Sequence, residues 1–235
     1  MVAPVDTADA SVPTPTVESV LAELAALEDP RMRAANERRG DDHGVNLTRL
    51  RGVAKAVKTN HELAIRLWDT DHTAARLVSL LVCSARKYGP EELDTMLRQA
   101  RAPKVKDWLV NYVVKKSKHL EQLRLAWTVD PDPVVASAGW DLIGHQVYKN
   151  PEVLDLPGLL DTIEAQMKDA PSALQWSMNN TLAAIGIEHP DLRARAIGIG
   201  ERLEVLKDYP TPPNCTSPFA PAWITEIVRR KEEAG

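Results

Sequence analysis

From Thr16 onward the chain repeats one instruction: a short run of apolar residues at helical spacing, opened by a capping residue or a proline and closed within a few residues by Gly, Pro, Asn or Asp. Thr16 can cap a helix over 17–27, and Pro30 can open one carrying Arg31, Arg33, Arg38 and Arg39. GDDHG at 40–44 reads as a loop. Asn46 can cap a helix with Leu47, Leu50, Val53, Ala54 and Val57 on one face, and Asn60 a shorter one ending at Trp68. The run 73–87 is apolar nearly all round, so that helix must be covered on most sides. Further helices are expected at about 91–100, 104–115, 117–128, 132–148, 156–168, 171–186, 190–205 and 220–232, with the Pro-rich stretch 207–221 wrapping the surface before the last. There is no convincing strand run. Many short helices joined by short connections pack as antiparallel pairs, which predicts an all-α fold of the α–α superhelix (solenoid) type over 16–235 as one domain. Residues 1–15, rich in Pro, Ala and acids, read as a disordered tail.

Composition narrows the function classes. No stretch approaches the roughly 20 apolar residues of a membrane helix, and the N-terminus lacks the pattern of a secretory signal. Two distant cysteines, Cys83 and Cys215, form neither a disulfide framework nor a metal site, which suits a reducing cytoplasm or, in a bacterium, its nucleoid. The net charge of −4 hides a strong asymmetry. Residues 1–29 hold six acids and no base, 30–130 hold 20 Lys/Arg against 12 Asp/Glu, and 131–235 hold 9 against 15. A basic block inside an acidic protein points towards a polyanion such as duplex DNA. Charge clustering on solvated helix faces is the plainer explanation of the same pattern.

The segment 104–118 gives the basic block a geometry. Val105, Trp108, Leu109, Tyr112 and Val113 form an apolar stripe. Lys104, Asp107, Asn111, Lys115 and Lys118 fall on another face if the helix continues that far. Lysines spaced along a helix can track phosphates, each contact releasing counterions. The same face also reads as an ordinary solvated one with Asp107 bridging lysines. We expect Lys104, Lys106, Lys115, Lys116 and Lys118, with Arg76, to line one concave groove. The histidines have no ligand spacing, so no metal is expected. Gly198 and Gly200 follow no strand, which removes a dinucleotide or phosphate loop, and no cofactor is expected.

Several segments resemble one family. GVNLTRLRGVAKAVKTNHELAIRLWDTDHTAARLVSLLV at 44–82, Trp127 with the ASAGW run at 136–140, MNNTLAAIG at 178–186 and CTSPFAPAWI at 215–224 are similar in order and spacing to the AlkD-like DNA alkylation repair proteins. The resemblance covers about 18–230. It implies HEAT-like helix pairs with a basic, concave DNA-binding face, and removal of alkylated purines to leave an abasic site. An alkylated purine is already a cationic leaving group. A carboxylate need only steady the oxocarbenium-like sugar and position water, while tryptophan faces hold sugar and backbone.

The catalytic positions depart from that pattern. The family shows a tryptophan followed four residues later by an aspartate. Trp108 matches the first, but Tyr112 stands at the second. Asp107 is the nearest carboxylate, about 140° around a regular helix from position 112, so it could take over only through a register shift or a bulge. Ser137 stands where a basic residue is expected before AGW, and Asn180 where a third aromatic is expected. Trp108 and Asp107 remain the candidate catalytic residues. The expected function is a DNA-binding protein of the alkylation-repair glycosylase family, with weak or altered removal of alkylated purines. The alternative is a non-catalytic HEAT-repeat module that binds DNA structure or a protein partner, and a pure protein-interaction scaffold is the third reading.

Overall fold

The computed structural model describes residues 14–213 and 215–234, so most of the acidic segment 1–15 lies outside the described residues. Among the described residues there are thirteen α-helices, short 3₁₀ turns and no strand beyond one isolated bridge, Glu28 to Val45. No helix among them is long and apolar enough to cross a membrane. The chain divides into two compact units. The first runs to Ser84 and includes Ala102–Val105; the second comprises Ala85–Arg101 and everything from Lys106 onward.

The first unit contains α1 (Val17–Ala26), α2 (Pro30–Glu37), α3 (Leu47–Val57), α4 (His61–Trp68) and α5 (Thr73–Val82). Local chemistry starts them. The Thr16 hydroxyl accepts the Ser19 N–H, Asp29 caps α2, Asn46 accepts the Thr48 N–H and Asn60 the Leu63 N–H, each satisfying an orphan donor of a first turn. Nine of the ten residues of α5 are buried, as its all-round apolar sequence requires. It packs on α1, α3 and α4. The helix expected over 73–87 stops at Val82 for a non-local reason. The Val82 carbonyl accepts the Asn60 N–H at 2.8 Å, Cys83 turns extended, and the Ser84 N–H turns to His61 Nδ1. The GDDHG loop is not a surface excursion: Asp41 and His43 are 5% and 2% exposed. Asp41 Oδ1 accepts the Lys104 N–H at 2.8 Å, the Thr73 hydroxyl bonds Asp42, and Gly44 leaves 2.4 Å between an added Cβ and Glu28 Oε2. The loop thus holds the first turns of two later helices.

The second unit contains α6 (Pro90–Gln99), α8 (Leu120–Thr128), α9 (Pro133–Lys149), α10 (Leu156–Gln166), α11 (Ser172–Glu188), α12 (Pro190–Leu203) and α13 (Ala220–Ala234). α7 (Pro103–Trp108) enters it at Lys106. α9 packs against both α8 and α11, and α11 against α12 and α13. Its core gathers Trp140, Ile143, Leu160, Ile163, Met178, Leu182, Ile185, Ile199 and Ile224. Each such side chain contributes roughly 1.5–3 kcal/mol on full burial. Two glycines set the spacing. A Cβ on Gly139 would lie 2.4 Å from the Thr128 backbone nitrogen, and one on Gly186 would lie 2.5 Å from Ile224 Cδ1.

Candidate nucleic-acid interface

The basic stretch 104–118 is not one regular helix. α7 ends at Trp108, a π-helical turn spans Leu109–Val113, a 3₁₀ turn spans Val114–Lys116, and Ser117 is extended. Leu109, Val110, Val113 and Val114 are all buried, as are Val105 and Trp108. Their arc is wider than one α-helical stripe, and the π turn, with its extra residue, accommodates it. The face expected to carry Lys104, Asp107, Asn111, Lys115 and Lys118 is therefore corrected. Lys118 lies beyond the helical segment on an exposed connection. Asp107, Asn111 and Lys115 do stay in line. Asn111 Nδ2 donates to the Asp107 carbonyl at 2.8 Å, and Lys115 Nζ donates to Asn111 Oδ1 at 2.7 Å.

The expected cations occupy different environments. Arg76 is a correction: it is 8% exposed, its Nε donates to the Trp68 carbonyl, its guanidinium lies 4.8 Å from the Trp68 ring centre, and it pairs with Asp71 at 2.6 Å. A guanidinium so engaged holds α4 to α5 and is not a surface cation. Lys104 is partly buried at the start of α7, in the first unit. Lys106 is partly buried too, its ammonium 2.7 Å from Ser137 Oγ and 3.1 Å from Asp141 Oδ2. Burial pulls the Lys115 pKa below the ordinary lysine value, with Asp141 and Asp107 opposing the shift. Lys116 is exposed and stands 5.8 Å from the centre of the Tyr112 ring.

Trp108 is 5% exposed and meets Tyr112 edge to face, ring centres 5.2 Å apart. Asp107 is exposed and precedes the π turn, which begins after it. The turn does not carry Asp107 into position 112. Ser137 is fully buried, gives its proton to the Val134 carbonyl at 2.8 Å and accepts from Lys106. The ammonium of Lys106 thus reaches, from α7, the position on α9 where the resemblance implies a basic side chain. Sequence reasoning missed Asp141, His145 and Lys149 on α9. The one available signal was that Asp141 lies one helical turn beyond Ser137. The His145 pKa is lowered by burial first, then by the Lys115 and Lys149 ammonium groups.

The other segments behind the resemblance hold the fold. Leu63, Ala64, Leu67 and Trp68 of HELAIRLW are buried, and Trp127 Nε1 donates to Asp94 at 2.8 Å. Asn179, in MNNTLAAIG, is 1% exposed. Its amide donates to the Pro218 carbonyl at 2.8 Å and accepts the Ala220 N–H at 3.3 Å, clamping the start of α13. Asn180 is half-buried beside it. Among the described residues no group of three His, Cys, Asp or Glu side chains is arranged to hold a metal ion.

Comparisons with known proteins agree with this architecture. Lin0241, an uncharacterized protein of Listeria innocua, is 22% identical over 224 residues, covering 92% of this chain and 98% of its own. Lmo0209, an uncharacterized protein of Listeria monocytogenes, is 22% identical over 191 residues, covering 77% of this chain and 84% of its own. Among solved structures, a protein described as one of a new family related to the HEAT-like repeat DNA glycosylases, with affinity for branched DNA structures, superposes with a TM-score of 0.73. It is 21% identical, and the match covers 92% of this chain and 95% of that one. The fold is therefore that of the HEAT-like helical repeats. The family model for DNA alkylation repair enzymes matches residues 20–224, nearly all of the described chain, and the chain belongs to that family.

Proposed function

We propose that this protein binds DNA, with branched or distorted duplexes as its preferred form, and that its removal of alkylated purines is at most weak. The observation that carries this reading is Tyr112. Its phenol lies edge-on to Trp108 and beneath Lys116, at the position where excision calls for an aspartate, and it cannot supply a carboxylate's charge. Asp107 is exposed and lies ahead of the π turn, outside position 112. Family membership and the branched-DNA affinity of the structural neighbour favour nucleic acid as the ligand. The lysines from 106 to 118 are the contacts we assign to the phosphate backbone, where they fix position without reading sequence.

Anisotropy titrations of a labelled four-way junction and of a linear duplex of equal length, at several salt concentrations, test the reading. The junction should bind more tightly, and charge reversal at Lys115, Lys116 and Lys118 should weaken both and flatten the salt dependence. Incubation with duplex DNA carrying a methylated purine should release no base above background. Base release abolished by Asp107→Asn would restore the glycosylase reading. Absence of any salt-dependent DNA binding would leave a protein-interaction scaffold.

A further inference from the structure

We infer that Lys106, Lys115 and Ser137 frame the seat of a single DNA phosphodiester, and that Asp141 fills this seat in the free protein as an internal counter-anion. The inference deepens the DNA-binding reading and rests on it. It begins from the burial of Lys106, whose side chain is 14% exposed and whose Nζ is fixed by Ser137 Oγ at 2.7 Å. Ser137 has already given its only proton to Val134, so it can only accept, and it holds the ammonium in one place. An ammonium so far removed from water needs an anion beside it. In the free protein that anion is Asp141 Oδ2 at 3.1 Å, on a side chain that is itself 25% exposed and therefore open to exchange.

Proton counting leaves room for a phosphate. Lys106 spends one proton on Ser137 and one on Asp141, and Lys115 spends one on Asn111. One proton on Lys106 and two on Lys115 can point at an incoming oxygen. Asp141 acts on the Lys115 ammonium as well, as does Asp107, and Lys115 and Lys149 act on His145 along α9. Two ammonium groups are thus offset by two carboxylates, and only Asp141 touches Lys106. A phosphate oxygen has the charge and acceptor geometry to take the same place, while the Asp141 side chain swings to solvent. The ion pair is then a competitor that DNA must displace. It weakens binding at this one contact and prevents the buried lysine from standing uncompensated when DNA is absent.

Asp141→Asn, which keeps size and an acceptor for Lys106 but removes the charge, is the direct test. Junction and duplex affinity should rise roughly three- to tenfold, and the slope of log affinity against log salt should steepen by about one, the value of one more phosphate neutralised. The gain should vanish in a Lys106→Met background, where the seat no longer exists. Thermal melting identifies any variant that has lost its fold, and Asp141→Ser repeats the measurement with a smaller side chain. If wild type binds DNA and neither Asp141 variant changes affinity or slope, the pair is a structural strut and the inference fails alone. A gain that persists with Lys106→Met also overturns it, because the effect is then one of net charge. If wild type and both Asp141 variants all fail to bind at low salt, the DNA-binding reading itself falls and takes the inference with it.

Discussion

Gly139 and Gly52 are both glycines inside helices, and the structure predicts opposite results for the same substitution. Helix propensity alone favours Ala over Gly by about 1 kcal/mol at either place. A Cβ on Gly52, in α3, meets nothing within 4 Å, so Gly52→Ala should realise most of that gain. A Cβ on Gly139, in α9, falls 2.4 Å from the Thr128 nitrogen, 2.7 Å from its Cα and 2.8 Å from its Oγ1. Two of those three atoms are backbone and cannot rotate away, so α8 and α9 must move apart. Overpacking of this kind costs typically 1–3 kcal/mol, and the Gly139 site lies at the upper end because helix axes have to shift. Less the propensity gain, the net loss is about 2 kcal/mol. For a protein of this size that lowers the melting temperature by roughly 4–8 °C, while Gly52→Ala raises it by roughly 2–4 °C. Far-UV circular dichroism melts of the three proteins decide the matter. A Gly139→Ala protein that melts at or above wild type would refute the close α8–α9 contact on which the ASAGW segment is explained.

Two further outcomes follow from buried polar groups. Asn179→Ala removes both partners of the Pro218 carbonyl and the Ala220 N–H, so stability should fall by about 2–4 kcal/mol, and limited proteolysis should cut ahead of α13 sooner than in wild type. His43 is 2% exposed, and burial, the largest influence, pulls its pKa below the ordinary 6.5 despite Asp41, Glu28 and Asp42. The unfolded chain therefore takes up a proton before the folded one does, and stability should fall as the pH drops from about 6.5 towards the depressed value. Denaturant midpoints measured at steps between pH 7.5 and pH 5 should show that slope (both limits chosen to bracket roughly 6.5), and His43→Asn should reduce it. An unchanged slope in His43→Asn assigns the pH dependence elsewhere.

The helix starts were legible because capping is local. Thr16, Asn46 and Asn60 each bond a donor two or three residues ahead, so the signal lies within one turn of sequence. What was not legible depends on partners far along the chain. The end of α5 is set by Asn60 and His61, and the reading of GDDHG as a loop gave no sign that Asp41 and Asp42 hold residues 63 and 31 positions away. Arg76 reads as a surface cation by type, and only the fold shows Trp68 and Asp71 around it. The apolar stripe on 104–115 was visible, but it gave no warning that burying Val110 and Val114 as well would need a π turn. Lys106 and Asp141 are 35 residues apart, and their pairing has no local trace.

The segments that carry the family resemblance are packing devices, whereas Tyr112, expected on the apolar stripe of 104–115, is packed on Trp108 but only half-buried. Gly139, Asn179 and Gly186 each meet another segment at close range, and changing them disturbs helix spacing. Tyr112 is half-buried, with Val110 and Val113 beside it taking the core positions of the π turn. Its edge-to-face contact with Trp108 and its contact with Lys116 are worth together roughly 1–2.5 kcal/mol. Tyr112→Asp should therefore fold, and a carboxylate there could pair with Lys116 and recover part of that loss. We expect a melting temperature within about 4 °C of wild type, a shallower salt dependence of DNA binding because one more phosphate-directed charge is cancelled, and an unchanged circular dichroism spectrum. A loss of cooperative melting in Tyr112→Asp would show that the tyrosine is part of the core and that chemistry at this position cannot vary independently of the fold. With the fold retained, the same variant asks whether the carboxylate alone is what excision lacks. Base release from methylated duplex by Tyr112→Asp and not by wild type would locate the missing function in that one side chain.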